Sequence, residues 1–522
     1  MREIILKNVA GRSNSLSKNI IIFLLFFIFS PLVLWSYPQG WSKDYKVYDE
    51  ANSPQLFMTE QVMGIAFLVK KSNDTSIYMS LSDDKGKNWG KPQRLVKKIG
   101  KKFEYFSSRV DDNMLYIGWG EDDGFIYLLR YSFTNQQIIS KDRLPHVETF
   151  ACLPRIFVDK QTNIHVFYHK EDNEVFTLYH IVSFDKGRKW SQSHKIVGDI
   201  SPQTKGIFFP SAIFWGDYIL VVWQSRQGGK GDEKIDDEIY FSFSKDLGQS
   251  WVFPHRISNN RHNDSRPFLV LDDNEATIYL LWENKKQGDW DISMLEGKII
   301  DEDTVEWEPE NLARVISDTS SDAYDAQAVL KGKDLYIFWY DFRQGKSQLF
   351  YRIFNLENRE LSAEIQLTDT KLHSKKQDVI SYSNTLSLVW EVRVEDYSRI
   401  FFKQEDRDID TPVISSPTHP SNRWVNNKKA RIKARELKDE SGIKGFSYIM
   451  DRNEDTEPDI INYNFSEFHI DFADLEDGTH WFHLRAVDNN NNWSDTAHYR
   501  INIDTKGPVI VDTKVIPRLK EA

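Results

Sequence analysis

Residues 164–190 contain the pattern that decides the fold of this chain. The stretch opens on a short apolar segment, Ile164-His-Val-Phe-Tyr168, and continues into a second one, Leu178-Tyr-His-Ile181. The turn after the second segment reads Ser183-Phe-Asp-Lys-Gly-Arg-Lys-Trp190. Short segments rich in β-branched and aromatic residues, followed by turn-forming Asp and Gly, predict antiparallel strands joined by tight hairpins.

The first segment recurs along the chain as a short strand that ends in an aromatic residue and then usually a polar one. Its copies are Leu115–Trp119, Ile164–Tyr168, Ile219–Trp223, Ile278–Trp282, Leu335–Trp339 and Leu386–Trp390, with a weaker first copy at Ile65–Val69. Successive copies end 50, 49, 55, 59, 57 and 51 residues apart. A period near 50 residues with several short strands per unit predicts an all-β chain built as a β-propeller.

Three copies carry the same turn after the second strand, Ser-x-Asp-x-Gly-x-x-Trp. In this turn Asp can bond nearby backbone amides, Gly can adopt a positive φ, and Trp can pack between units. We therefore interpret these residues as structural. They are Ser82, Asp84, Gly86 and Trp89; Ser183, Asp185, Gly187 and Trp190; and Ser244, Asp246, Gly248 and Trp251.

On these turns the region from about 53 to 405 resembles the Asp-box (BNR repeat) propellers of the sialidase family. The resemblance implies that the Asp-boxes lie on the rim away from the ligand. Sialidases have six blades, whereas seven repeats can be counted here. We expect seven blades, and the alternative is a six-bladed ring with one repeat outside it.

A proline-punctuated stretch, Asp410-Thr-Pro-Val-Ile-Ser-Ser-Pro-Thr-His-Pro420, marks the end of the ring. The run from Asp477 to Ser494 after it resembles the penultimate strand and hairpin of immunoglobulin-like or fibronectin-type modules. We therefore expect a propeller over 37–410, a linker over 411–421, an immunoglobulin-like sandwich over 422–507 and a tail over 508–522.

The first residues predict export. Four basic residues precede the apolar stretch Ile20–Trp35, and Ser36-Tyr-Pro38 offers a cleavage site. We expect a signal peptide over 1–36 and a periplasmic, cell-surface or secreted protein. The stretch is short for a membrane span, and an uncleaved anchor is the alternative.

The composition argues against several classes of partner and cofactor. The formal charge is −11 with no Lys/Arg cluster, which argues against nucleic acid or an anionic membrane as the main partner. The single cysteine, Cys152, excludes an intrachain disulfide and a Cys-based zinc site. The 13 histidines have no metal-ligand spacing, and nucleotide and hydrolase motifs are absent from the sequence, so we expect no cofactor and no metal.

The sialidase resemblance implies a catalytic constellation of three arginines that clamp a sugar carboxylate, a tyrosine nucleophile paired with a glutamate, and an aspartate acid/base. Tyr324, which opens the sixth repeat, matches the tyrosine strand. Arg226 matches the second arginine, and the acidic loop 232–238 offers carboxylates. The first arginine is missing, because residues 52–58 contain none.

A different set of charged residues lies near the starts of the predicted innermost strands. These are Arg109, Arg155 and Arg266, with Asp325 and Asp378 at similar places in the sixth and seventh repeats. Converging arginines suit an anionic sugar or a partner's carboxylate, because the planar guanidinium meets a carboxylate with two parallel hydrogen bonds. The same arginines could instead pair with the two aspartates and close the ring.

Two functions from different classes are compatible with these residues. The first is a non-catalytic module that binds a glycan or an envelope or surface protein at the propeller. The second is a divergent exo-α-sialidase with Tyr324 as nucleophile and some of Arg155, Arg226 and Arg266 as the carboxylate clamp. They differ in one geometric requirement, since the enzyme needs three guanidinium groups and the Tyr324 hydroxyl in one pocket.

Overall fold

The computed structural model describes residues 40–508 with short gaps. The gaps are 72–73, 101–103, 112, 173–174, 197–203, 228–235, 261, 287, 302–303, 318–320, 406–408, 436, 438, 440–441, 464–467 and 490–491. The predicted signal peptide and nearly all of the predicted tail therefore lie outside the described residues.

The described part of 45–404 forms seven antiparallel sheets, which we number 1 to 7 in chain order. Sheet 1 comprises Ala51–Met58, Met63–Lys71, Asp74–Ser82 and Gln93–Val96. Sheet 2 comprises Phe106–Val110, Met114–Gly120, Ile126–Ser132 and Gln137–Arg143. Sheet 3 comprises Ala151–Val158, Ile164–Asp172, Val175–Ser183 and His194–Lys195. Sheet 4 comprises Thr204–Trp215, Tyr218–Gln227, Asp236–Ser244 and His255–Arg256.

The remaining three sheets repeat this order. Sheet 5 comprises Asp264–Asp272, Thr277–Lys286, Asp289–Asp301, Thr304–Trp307 and the short strand Arg314–Val315, with a 3-10 turn at Glu310–Leu312. Sheet 6 comprises Ala323–Lys331, Asp334–Asp341, Gln348–Asn355 and Ile365–Gln366. Sheet 7 comprises His373–Tyr382, Thr385–Val394 and Tyr397–Gln404, and its fourth strand is the chain's first, Tyr45–Asp49.

The apolar core lies between the sheets and not inside any one of them. Seven clusters of buried side chains each draw on two neighbouring sheets, and one of them joins sheet 7 to sheet 1. A sheet with two apolar faces must pack against a neighbour on each side, and all seven sheets achieve this only when they are arranged in a closed ring. The described residues therefore form a closed β-propeller.

The repeated aromatic residue of the second strand is the largest part of this core. It is buried in every sheet, as Phe67, Trp119, Tyr168, Trp223, Trp282, Trp339 and Trp390. In the first sheet the pairing of Gln55 with Ala66 places Phe67 at this position, and not Val69 as the sequence pattern suggested. The two residues are two apart and share a face, so the alternation of the strand did not reveal the difference.

The innermost strand of six sheets has an irregular register at its beginning. In each of these strands one irregularity contains a non-glycine residue with a positive φ between 48° and 60°, which makes the strand bulge. These bulge residues are Ser53, Leu153, Phe209, Arg266, Asp325 and Lys376. Four of them are followed by proline, which fixes the next φ and donates no hydrogen bond.

Among the described residues, side chains at one register of the inner strands join neighbouring sheets at several places around the ring. Oε1 of Gln55 accepts the Ser108 N–H at 2.6 Å, and Oδ2 of Asp378 accepts the Leu56 N–H at 2.6 Å. The second bond connects the last inner strand to the first. Ser107, Ser211 and Gln327 at the same register accept the N–H groups of Ile156, Leu269 and Val379.

The three Ser-x-Asp-x-Gly-x-x-Trp turns, which we call the Asp-box turns after the motif that they resemble, have one geometry. In the turn of sheet 4, Ser244 Oγ accepts the Gly248 N–H at 2.7 Å and Asp246 Oδ1 accepts the Ser250 N–H at 2.8 Å. The corresponding bonds in the other two turns are within the same range. The glycines have φ of +92°, +79° and +86°. Trp89 packs on Phe402 of sheet 7 and Trp251 packs on Phe167 of sheet 3, so each of these tryptophans contacts the preceding sheet.

Two further sheets follow the ring and enclose a separate core. One comprises Ile414–Ser415, Ala430–Ala434 and His469–Phe472, and the other Trp424–Val425, Ala497–Ile503, Gly478–Asp488 and Ile443–Asp451. Buried residues of both sheets, such as Ile432 and Phe482, form this core of a β-sandwich. Ile414–Ser415 belongs to the first of these sheets, so the stretch expected as a linker contributes a strand.

Substitution of Gly248 by alanine should destabilise the ring far more than the same change at Gly187. Both glycines have a positive φ, so each alanine costs about 1–2 kcal/mol of backbone strain. At Gly248 the new Cβ would lie 2.1 Å from the buried His180 ring, whereas at Gly187 its nearest neighbour is the Arg130 side chain at 3.1 Å. Overpacking adds about 1–3 kcal/mol at Gly248. Urea unfolding of both variants checks this, and equal losses would contradict it.

Candidate functional site

One end of the ring collects the bulges and the ends of the second strands. Because neighbouring strands are antiparallel, inner strands begin, second strands end and third strands begin at this end, which we call the mouth. The Asp-box turns join third to fourth strands and therefore lie at the opposite end. In propellers the loops at such a mouth are the usual place for ligands.

Arg266 is the bulge residue of sheet 5 at the mouth. Its Nη1 lies 3.8 Å from Oε1 of Glu283 and 3.9 Å from Oδ1 of Asp325. Its Cζ lies 5.0 Å from the ring centre of Phe209, the bulge residue of sheet 4. The Arg266 side chain is 41% exposed, so two carboxylates and an aromatic ring hold a guanidinium that still faces solvent.

Glu283 supports the base of this arrangement. Its side chain is 3% exposed, its Oε1 accepts the Asp325 N–H at 2.8 Å, and its Oε2 accepts the Ser265 hydroxyl at 3.1 Å. Burial raises the pKa of Glu283 to about 7, against the opposing effect of the Arg266 charge. The carboxyl is therefore partly protonated near neutral pH.

Aromatic rings form a wall beside Arg266. The ring of Tyr324 lies 6.3 Å from Trp290, 5.9 Å from Tyr340 and 6.1 Å from Phe342, measured between ring centres. Phe342 is 37% exposed, while Tyr324 and Tyr340 are half-buried. Tyr324 directly precedes Asp325, so the wall and the charged group share one strand of sheet 6.

The surroundings of the Tyr324 hydroxyl make loss of its proton harder than in a free tyrosine. Burial, together with the charge of Asp322 and a hydrogen bond to it, raises the pKa of Tyr324 to about 12. The charge of Glu283 acts in the same direction, and that of Arg266 opposes it. A tyrosine nucleophile requires the reverse shift or a base that takes its proton.

The channel below the mouth is lined by charges of both signs. Burial raises the pKa of Asp325, and the charges of Arg266, Arg155 and Lys376 oppose that shift. Burial likewise raises the pKa of Asp378 to about 6, with the Arg109 charge opposing. The arginines expected at the inner strands therefore face the two aspartates expected there.

The three inner-strand arginines occupy different registers. Arg266 is at a bulge, and Arg155 lies two residues after the bulge residue Leu153. Arg109 lies two residues beyond Ser107, the residue of sheet 2 that corresponds to Arg155. Its Cζ lies 5.7 Å from the Phe157 ring, deeper in the channel. The arginines are thus spread along the channel and do not form one layer.

Arg226 is held elsewhere. Its Nε and Nη2 donate to the two carboxylate oxygens of Asp237 at 3.0 and 3.2 Å. Of the acidic loop, residues 232–235 are outside the described residues, and Glu238 is buried against Arg256 and Ser258. Asp237 and Glu238 thus pair with arginines of sheet 4. Glu283 of sheet 5 is a carboxylate whose charge acts on Tyr324.

Sequence reasoning missed Glu283, Tyr340, Trp290, Phe342 and Lys376. A signal for the first two existed, because each directly follows the repeated aromatic residue of a second strand. Gln224, Glu283 and Glu391 at that position accept the bulge N–H of the next sheet, at 3.5, 2.8 and 3.2 Å. The polar residue of the repeat therefore marks the mouth.

Two features are absent from the described residues. They contain no group of three or more His, Cys, Asp or Glu side chains placed to hold a metal ion. In the same ranges no helix is long and apolar enough to cross a membrane.

Comparison with known proteins supports the fold. No family model and no curated protein matches the chain. An ulvan lyase of polysaccharide lyase family PL25 is similar in structure, with a TM-score of 0.52 and 10% identity over 68% of this chain and 94% of that chain. The β-propeller domain of the Trilobed protease from Pyrococcus furiosus gives 0.41 and 10%, over 69% of this chain and 94% of that one. The microbial sialidase Hz136 gives 0.39 and 14%, over 68% and 65%. At 10% identity the likeness to the ulvan lyase extends to the fold alone.

The stability of the protein should depend on pH through Glu283. The folded pKa of about 7 exceeds the ordinary value of 4.5, so the folded state binds this proton more tightly. The contribution of Glu283 to stability therefore rises as the pH falls from about 7 towards 4.5, by up to about 1.4 kcal/mol per pH unit. Glu283→Gln keeps an acceptor but cannot titrate. The difference in unfolding free energy between wild type and variant, measured in urea at pH 5 to 8, should show this slope, and a constant difference would contradict it.

Proposed function

We propose that this chain is an exported, sialidase-like propeller protein that binds an acidic glycan at the mouth without cleaving it. The observation that carries the proposal is the exposed guanidinium of Arg266 beside the aromatic wall of Trp290, Tyr324, Tyr340 and Phe342. Aromatic lining with a few well-placed polar or charged groups is the usual make-up of a small-ligand site.

The two parts of the site suit two parts of a sugar. An aromatic ring offers a flat apolar surface on which the C–H face of a pyranose can lie, with no specific hydrogen bond required. A guanidinium offers two parallel N–H groups to a carboxylate. Nη1 of Arg266 lies 3.9 Å from Asp325, which directly follows Tyr324 in the strand, so the charge and the wall are close together.

The state of the tyrosine favours binding over catalysis. Its raised pKa leaves a neutral phenol at physiological pH, and its hydroxyl bonds Asp322. Of the three clamp candidates, Arg226 is held by Asp237, whereas the charges of Arg266 and Arg155 act on Asp325 and that of Arg266 also acts on Tyr324. Two arginines can bind a carboxylate but do not reproduce a three-arginine clamp.

The second candidate is a divergent exo-α-sialidase. It is favoured by Glu283, a buried carboxyl with a pKa of about 7 whose charge acts on Tyr324. A carboxyl of that pKa is suited to take a proton near neutral pH. In that case Glu283 is the partner of Tyr324, in place of the acidic loop.

The remaining parts of the proposal concern organisation. Residues 1–36 would direct export, the propeller would occupy 37–410, and the sandwich would be an immunoglobulin-like spacer. The Asp-box turns would be structural, as in the family that they resemble. The location would be periplasmic, cell-surface or secreted. A surface or envelope protein that presents a carboxylate is the other possible partner, and a glycan-binding experiment separates the two.

Removal of the Arg266 charge should weaken glycan binding. On a panel of sialylated, uronic-acid and neutral glycans, we expect the purified protein to prefer acidic ones. Arg266→Ala should lose at least about tenfold in affinity, because a charge-assisted bond contributes about 1.5–3 kcal/mol. Arg94→Ala, at an exposed position of sheet 1, is the control. Equal binding by Arg266→Ala and wild type, or capture of proteins without glycan, would count against the proposal.

The substitution Tyr324→Phe separates the two candidate functions. If the ring is a stacking surface, phenylalanine keeps it and glycan affinity should change less than about threefold, whereas Tyr324→Ala should lose about tenfold or more. No hydrolysis of a fluorogenic sialoside is expected from either wild type or variant. Turnover that Tyr324→Phe abolishes would instead establish the sialidase.

A further inference from the structure

A chain of buried polar groups joins sheet 3 to the Asp-box turn of sheet 4. His165 Nε2 lies 3.3 Å from Asp159 Oδ2, and His165 Nδ1 lies 3.0 Å from His180 Nε2. His180 Nδ1 lies 3.4 Å from the carbonyl oxygen of Gly248. The side chains of Asp159, His165 and His180 are inaccessible to solvent.

The surroundings of this chain are mostly apolar. The ring centre of Phe214 lies 4.5 Å from that of His165, and those of Phe167 and Trp251 lie 4.7 and 5.5 Å from that of His180. Gly248 leaves room for the His180 ring, which a Cβ at that position would strike. Water therefore cannot substitute for a missing hydrogen bond in the chain.

The titratable groups that face the two rings are few. Asp159 lies at one end and is fixed by Asn163, which donates its backbone N–H and its Nδ2 to the carboxylate at 2.8 and 2.7 Å. His194 on the outer strand of sheet 3 is paired in register with His180 and acts on it electrostatically. The other end of the chain is the Gly248 carbonyl, which cannot titrate.

Two neutral rings cannot satisfy this chain. The chain of polar groups ends in an acceptor on both sides, the Asp159 carboxylate and the Gly248 carbonyl. Its three contacts therefore need three protons, whereas two neutral imidazoles carry two in total. With His165 donating from Nε2 to Asp159 and His180 donating from Nε2 to His165, the Nδ1 lone pair of His180 faces the Gly248 carbonyl. That contact is the longest of the three, as expected for two opposed acceptors.

A third proton would complete the chain. We propose that the histidine pair takes up one proton on acidification and thereby makes the missing bond between sheet 3 and the Asp-box turn of sheet 4. The proton from solvent is bound at His180 Nδ1, which then donates to the Gly248 oxygen. The proton on His180 Nε2 passes to His165 Nδ1 across the contact between the rings. His165 becomes an imidazolium paired with the Asp159 carboxylate, and His180 remains neutral in its other tautomer.

The uptake occurs below the ordinary histidine pKa. Burial lowers the pKa of His165, against the effect of Asp159, and burial holds the pKa of His180 well below 6.5. In the unfolded chain both histidines bind a proton below about pH 6.5, whereas the folded pair binds one proton and at a lower pH. The contribution of the pair to folding stability therefore falls as the pH drops below about 6.5, by up to about tenfold in the folding equilibrium constant per pH unit for each proton that the unfolded chain binds in excess of the folded one.

Nitrogen NMR of the wild-type protein labelled at histidine tests the proposal. The N–H···N bond between the rings couples Nδ1 of one to Nε2 of the other, which identifies the pair. The second close pair, His483 and His498, joins two Nδ1 atoms and is thus distinguishable. We expect His180 to carry its proton on Nε2 at pH 8 and on Nδ1 at acid pH, while His165 becomes doubly protonated. A His180 proton already on Nδ1 at pH 8, or no change down to the pH of unfolding, would overturn the proposal.

A second measurement uses substitution. The amide of His180→Gln can donate to both His165 and the Gly248 oxygen without taking up a proton. The number of protons taken up on unfolding, obtained from the slope of the unfolding free energy in urea between pH 7 and 5, should therefore be about one smaller in this variant than in the wild type. His146→Asn, at an exposed position, should keep the wild-type dependence. An unchanged dependence in His180→Gln would refute the role of the pair, whatever the glycan experiments show.

Discussion

The ring depends on one repeated hydrogen bond, in which a side chain of one sheet accepts a backbone N–H from the inner strand of the next. Inner strands of neighbouring sheets are not paired as a ladder, so their N–H groups would otherwise be buried without partners. Gln55, Ser107, Ser211, Gln327 and Asp378 supply the acceptor at one level. Gln224, Glu283 and Glu391 supply it at the bulges. The apolar clusters between the sheets give most of the stability, and these bonds set the angle and height at which each sheet meets its neighbour.

The same requirement places charge at the mouth. A carboxylate that accepts a backbone N–H from the next sheet must be buried, and burial raises its pKa, as in Glu283. An arginine nearby then offsets part of the cost of the buried charge, as Arg266 does between Glu283 and Asp325. The structural role of these residues and the binding role that we propose for them therefore fall at the same positions. Arginine and aspartate pairing, one of the two interpretations of the inner-strand charges, coexists here with an exposed guanidinium.

The sequence predicts the all-β class and the propeller because each repeat is complete in itself: strand period, aromatic anchor and turn are local features. The register of the inner strands is not local. A bulge adds one residue and reverses the face of every later residue in the strand, and so Arg109, Arg155 and Arg266 appear equivalent in sequence but occupy three registers in the ring. The aromatic wall is also non-local, since Trp290 and Tyr324 come from different sheets and meet only when the ring closes. The repeat places Glu283 directly after the aromatic residue of a second strand, but the repeat does not indicate that this position lies at the mouth.

Sheet 7 contains strands from both ends of the propeller, Tyr45–Asp49 and His373–Gln404. During synthesis the first of these strands is made roughly 350 residues before the strand with which it pairs. At 5–20 residues per second that interval is on the order of 20–70 s. Sheet 1 has its apolar face towards sheet 7 exposed for the same time. The chain thus has a built-in delay between the beginning of folding and its last step, the strand pairing that closes the ring.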